Sequence, residues 1–191
     1  MSDHFQMLVD PVVDEDQAGD LCGAVVDRFR GLGLIVGELG PEGYKPGPAL
    51  THLYRPREGE RGFPYELVSN GVEPHIGRDL NAWAFGPVCQ GFDCRYCHHH
   101  FPETDKAFFR AASDAIGQWF DRSDSFDLTC PRCSKQTPIT EWRCIPPLGF
   151  GNLSFQFWNW PQLDAPEWKI DLRTLVADIT GHPVVATYGR I

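Results

Sequence analysis

The chain has 191 residues, a formal net charge of −9 and 42% hydrophobic residues, with 6 Trp and 13 Phe. That is enough for one ordinary domain carrying a smaller unit, and it argues against a disordered chain. No Lys or Arg precedes Arg28, while Asp3, Asp10, Asp14, Glu15, Asp16, Asp20 and Asp27 do, so bulk binding to a phosphate backbone is disfavoured. No apolar run approaches bilayer length, and acidic Asp3 stands where a secretory signal carries a basic residue. A cytosolic protein without a membrane segment is therefore expected.

Phe5 to Val13 alternates, with Phe5, Met7 and Val9 against Gln6 and Asp10, and reads as a strand. Asp14 has the character of a helix N-cap, with Gln17 placed to reach back in a capping box. Ala18, Leu21, Cys22, Val25, Val26 and Phe29 then follow at helical spacing until Gly31. Leu34 to Leu39 predicts a second strand and Gly40 to Pro48 a loop, while Thr51 to Tyr54, Tyr65 to Ser69 and Asn81 to Phe85 read as short strands.

The last third repeats this order. Leu153 to Trp160 is rich in strand formers; Asp164 and Pro166 open a helix whose face carries Trp168, Leu172, Leu175, Val176 and Ile179; and Gly181 with Pro183 closes it before a strand from Val184 to Tyr188. Strand, helix, strand at both ends predicts an α+β fold, a split βαβ or ferredoxin-like sandwich formed by residues 1–70 and 145–191. The intervening 71–144 reads as an inserted zinc-binding module.

Within that insertion stand Cys94 and Cys97 in Cys-Arg-Tyr-Cys and Cys130 and Cys133 in Cys-Pro-Arg-Cys. A two-residue gap lets both sulfurs of a turn point the same way, so two such pairs can surround one tetrahedral ion. Thiolates are soft ligands, and four of them leave no coordination place for water or substrate, which predicts a structural zinc rather than a catalytic one. Iron in a redox site and a thiol redox pair are the rivals. Between the knuckles, Glu103 to Phe120 predicts an amphipathic helix with Phe108, Phe109, Ala112, Ile116, Trp119 and Phe120 near one face. The stretch from Cys94 to Cys133 resembles the zinc-ribbon, or rubredoxin-like, knuckle superfamily. That resemblance implies a bound metal and no particular activity. A Gly commonly follows the second Cys of such a knuckle; here His98 and Ser134 occupy those places.

Of 7 cysteines, Cys22 falls on the helix stripe as a small buried hydrophobe, and Cys89 and Cys144 flank the module, where the sequence leaves a substitute ligand role open to either. His98, His99 and His100 suggest a second metal, but successive side chains diverge and at most two could face one ion. In Phe155-Gln-Phe157-Trp158-Asn159-Trp160 the two Trp share one strand face, which must be covered either by the protein itself or by a partner.

The function expected is that of a non-enzymatic protein-binding or inhibitor protein, immunity-like, whose acidic face meets a basic protein partner. One alternative is a metal-dependent enzyme acting near His98 to His100, His75 or Asp79. Another is nucleic-acid recognition by the ribbon through Arg95, Arg132, Lys135 and Arg143, against which Asp93, Glu103, Asp105 and Asp127 stand nearby.

Overall fold

In the computed structural model, residues 3–41, 43–59, 62–80 and 89–190 are described, apart from the side chains at 79, 80 and 190. The strand expected at Asn81 to Phe85 lies outside the described residues. The first elements are β1 (His4–Asp10), α1 (Glu15–Gly31), β2 (Ile35–Gly40), β3 (Gly43–Pro46), α2 (Leu50–Leu53) and β4 (Gly71–Leu80). Next come β5 (Gly91–Asp93), β6 (His100–Pro102), α3 (Lys106–Phe120), β7 (Asp127–Thr129), β8 (Gln136–Pro138), a 3-10 turn (Ile139–Glu141) and β9 (Arg143–Ile145). The chain finishes with β10 (Phe150–Trp158), α4 (Leu172–Thr180) and β11 (Val185–Arg190). Two compact units result: Met1–Asn81 with Gly149–Ile191, and Ala82–Leu148.

The first unit is α+β. Its six strands run in the order β11-β1-β10-β4-β3-β2, with every described neighbour pair antiparallel. Alternation along β1 and β10 sends Leu8, Leu153, Phe155 and Phe157 to one face, where they meet Ala18, Cys22, Val25, Val26 and Phe29 of α1 and Leu172 and Val176 of α4. The Phe29 ring lies 5.9 Å from that of Phe155 and 6.1 Å from that of Phe157. Phe5, Met7 and Val9 take the other face with Trp158 against them. β1, α1 and β2, and again β10, α4 and β11, follow one another along the chain, but β4 lies beside β10, and β3 separates β4 from β2. Residues 71–80, placed in the insertion by sequence, are thus a strand of this sheet, paired with β10 from Gly71↔Trp158 to Leu80↔Phe150.

Several local expectations are corrected. The Gly-Pro stretch contains β3, which pairs Ile35↔Pro46 and Val36↔Lys45 with β2. Gly43 makes this fit, with φ of 78° and a backbone so close to Val72 that a Cβ would collide with its carbonyl. Thr51 to Tyr54 falls largely in the one-turn helix α2, because Leu50 is drawn into the core and the Thr51 hydroxyl donates to the Pro48 carbonyl at 2.8 Å. Tyr65 to Ser69 forms turns, with Tyr65 N–H on the Phe63 carbonyl and Leu67 N–H on that of Pro64. Asp14 does stand at the N-cap of α1, yet its side chain makes no cap bond; its carbonyl accepts from Gln17 and Ala18 N–H at 3.2 and 3.1 Å.

The helix foreseen from Asp164 begins only at Leu172, capped by Asp171, whose carboxylate accepts from Thr174 N–H at 3.0 Å and from the Thr174 hydroxyl at 2.7 Å. Before it, successive turns bury Trp168 with its indole N–H on the Gln162 carbonyl at 2.8 Å. The two tryptophans of β10 also part company. Asn159 adopts a left-handed conformation, φ 54°, and ends the strand. Trp160 is thereby turned into the helix-side core, against Phe63, Phe157 and Trp168, while Trp158 packs on Phe5 and donates to Glu73 at 3.2 Å.

The second unit gathers aromatic rings around α3. Asp105 caps the helix by accepting from Phe108 N–H at 3.1 Å. The Phe101 and Phe108 rings stack 4.1 Å apart, and Trp142 lies 5.4 Å from Phe108. β5 sits between β6 and β9, and β7 pairs with β8.

Candidate metal centre

Two hairpins of the second unit end in the same turn. In the first, Asp93↔His100 closes the β5–β6 ladder, Cys94 N–H donates to the His99 carbonyl at 3.0 Å, and His98 N–H returns to the Cys94 carbonyl at 2.9 Å. In the second, Thr129↔Gln136 closes β7–β8, Cys130 N–H donates to Lys135 at 2.9 Å, and Ser134 N–H returns to Cys130 at 2.8 Å. His98 and Ser134 both hold the left-handed backbone, with φ of 55° and 58°. They adopt the conformation for which Gly is the ordinary choice, so the knuckle geometry survives without glycine.

The turns bring four sulfurs together. All of Cys94, Cys97, Cys130 and Cys133 Sγ lie within 4.8 Å of one another, with Cys94 3.8 Å from Cys133 and Cys97 3.8 Å from Cys130. A tetrahedron with metal–sulfur bonds of about 2.3 Å has edges of about 3.8 Å. The first cysteine of each pair is buried and the second half-buried. This donor set is one that can hold a metal ion.

The electrostatics of the bare thiols favour a cation. Burial pushes the Cys94 thiol up, but the backbone of Cys97 and Tyr96 and the sulfurs of Cys130 and Cys97 outweigh it and bring Cys94 down to about 7. At Cys133 the Lys135 backbone pulls down, while burial and the sulfurs of Cys130, Cys97 and Cys94 push the thiol up to about 11. Sulfurs this close cannot all be thiolates unless positive charge lies among them.

Among the described residues, this is the one group of Cys, His and acids placed to hold an ion, and it includes none of the histidines named from sequence. His98 forms the knuckle turn, His99 packs edge-on against Phe101 with ring centres 4.7 Å apart, and His100 Nδ1 lies 2.7 Å from Asp93 Oδ1. His75, on β4, places Nε2 3.1 Å from Gln156 Oε1 and 3.8 Å from Glu73 Oε2. Asp79 lies on the same strand. Of the four basic residues near the knuckles, Arg95 is paired with Glu141 and Arg143 lies 3.9 Å from Asp93. Cys89 and Cys144 stand outside the group and meet each other instead, a contact that no local sequence signal announces.

No protein family, curated protein or solved structure matches the chain. Among the described residues, no helix is long and apolar enough to cross a membrane.

Proposed function

We propose that the chain is a non-enzymatic binding protein of the inhibitor or immunity type, acting on a basic protein partner and braced by one structural zinc on Cys94, Cys97, Cys130 and Cys133. The observation that supports the zinc brace is the sulfur spacing of 3.8 Å across the two hairpins. Zinc suits four thiolates because it is soft enough to prefer sulfur and imposes no geometry of its own. Bound there, it would hold two hairpins together and leave no place for a substrate. A reducing cytosol suits seven unbridged cysteines.

The basic partner is supported by the net charge of −9 and by Asp16, Asp20 and Asp27, all exposed along α1. Such a face accelerates encounter with a positive surface. The engagement of Arg95 by Glu141 and the proximity of Arg143 to Asp93 speak against phosphate binding by the knuckles.

Elemental analysis of the purified protein tests the metal, with one zinc per chain expected and its loss in Cys94→Ser and Cys130→Ser. A well-folded protein that binds no zinc would overturn it. Immobilised protein, with zinc and after chelation, tests the partner: a basic protein retained at low salt, released by raised salt and weakened by Asp16→Lys with Asp20→Lys is expected. Recovery of no protein in either state would count against the reading.

A further inference from the structure

The three cysteines outside the metal centre differ in kind. Cys22 lies on the buried stripe of α1, where burial pushes its thiol up. Cys89 and Cys144, separated by 55 positions, place their sulfurs 3.3 Å apart at 1% and 3% exposure.

Backbone pairing holds them there. β5 and β9 register Gly91↔Ile145 and Phe92↔Cys144, and Gln90 N–H extends the ladder to the Ile145 carbonyl at 2.6 Å. Cys89 therefore enters beside the strand that carries Cys144, and the pair does not depend on a flexible side chain finding its mate. A disulfide needs about 2.05 Å between sulfurs, a closure of roughly 1 Å from this arrangement. The contact also divides the two roles. The contact with the Cys144 sulfur holds Cys89 below the usual thiol range, while that contact together with burial pushes Cys144 above it. One sulfur is thus favoured as attacking thiolate and the other as the thiol that resolves.

We propose that Cys89 and Cys144 form a reversible disulfide on exposure to a peroxide, tying the residues just before β5 to β9 and enclosing both cysteine hairpins in one covalent loop. The Cys89 thiolate attacks one oxygen of hydrogen peroxide; the O–O bond breaks, and the departing hydroxide takes up the proton lost by the thiol to leave as water. Cys144 sulfur then displaces the hydroxyl of the Cys89 sulfenic acid, the S–S bond forms, and the Cys144 proton leaves with that hydroxyl as a second water. Two electrons pass from the two sulfurs to the peroxide, and a dithiol reductant returns them by thiol exchange.

The test is disulfide mapping of the full-length protein loaded with zinc. The protein is treated with one equivalent of hydrogen peroxide, denatured, alkylated, digested and analysed by mass spectrometry. The result expected is a linked peptide pair containing Cys89 and Cys144, alkylation of Cys94, Cys97, Cys130 and Cys133, and loss of the link after dithiothreitol. Recovery of Cys89 and Cys144 both alkylated while peroxide is consumed elsewhere would overturn the proposal, as would a link from either to a different cysteine. A protein that holds no zinc as purified but links Cys89 to Cys144 on the same treatment would sink the zinc reading and leave this one standing.

Discussion

His98 and Ser134 show how a single backbone angle shapes the candidate metal centre. Each is exposed, and each sits at positive φ so that its N–H can turn back to the cysteine four positions before it. A side chain in that conformation costs about 1–2 kcal/mol, which Gly avoids at some expense in unfolded-state entropy. His98→Gly is therefore expected to raise stability by up to about 1 kcal/mol, and His98→Val to lower it by about 1–2 kcal/mol, as read by denaturant midpoints of the zinc-loaded protein. The sulfurs obey a simple proton balance. With Cys133 pushed up to about 11 when no cation is present, metal binding must displace protons. Zinc affinity is expected to weaken as pH falls from 8 to 6, by about tenfold per pH unit for each proton released, in competition with a chelator of known pH dependence. The spacing of the four cysteines made this centre legible in sequence. The left-handed turns were not legible, because no residue at 98 or 134 advertises them.

At the scale of elements, α4 depends on where its cap lies. Apolar periodicity extends back to Trp168, so sequence alone places the helix start too early. The chain uses Asp171, whose carboxylate satisfies Thr174 N–H, and leaves Trp168 to be buried by a turn. The Thr174 N–H, and then the Thr174 hydroxyl, hold the Asp171 carboxyl below its usual range. A carboxyl more acidic in the folded chain than in the unfolded one adds stability above its unfolded value, and that share is lost as pH falls through the folded value. Asp171→Ala is expected to cost about 1 kcal/mol near neutral pH, with the gap to the parent protein narrowing in acid below the ordinary carboxylate range, as thermal unfolding across a pH series would show. The strands offered less guidance. β3 is broken by Gly and Pro and is a strand only because β2 and β4 flank it, whereas α1 and α3 carry apolar stripes that are legible within one segment.

For the molecule as a whole, the two units rest on different sources of stability. The six-stranded sheet buries an apolar cluster drawn from both ends of the chain. The second unit has strands of three residues around the one helix α3 and its ring contacts, so a bound ion contributing about 10 kcal/mol or more would decide whether it folds. Chelation is expected to abolish amide-exchange protection in β5 to β9 while protection persists in β1 and β10; equal loss in both would show that the sheet depends on the metal as well. By itself the sequence determined which four cysteines could gather, the α+β class, the helices α1 and α3 and the acidic character of the chain, because these reside in spacing, periodicity and charge within short stretches. Only the tertiary structure decided that β4 joins the sheet, that Trp160 is core while Trp158 faces the other side, and that Cys89 meets Cys144. Each of those depends on which distant segments pair, and pairing is a property of the whole chain's burial that no local window contains.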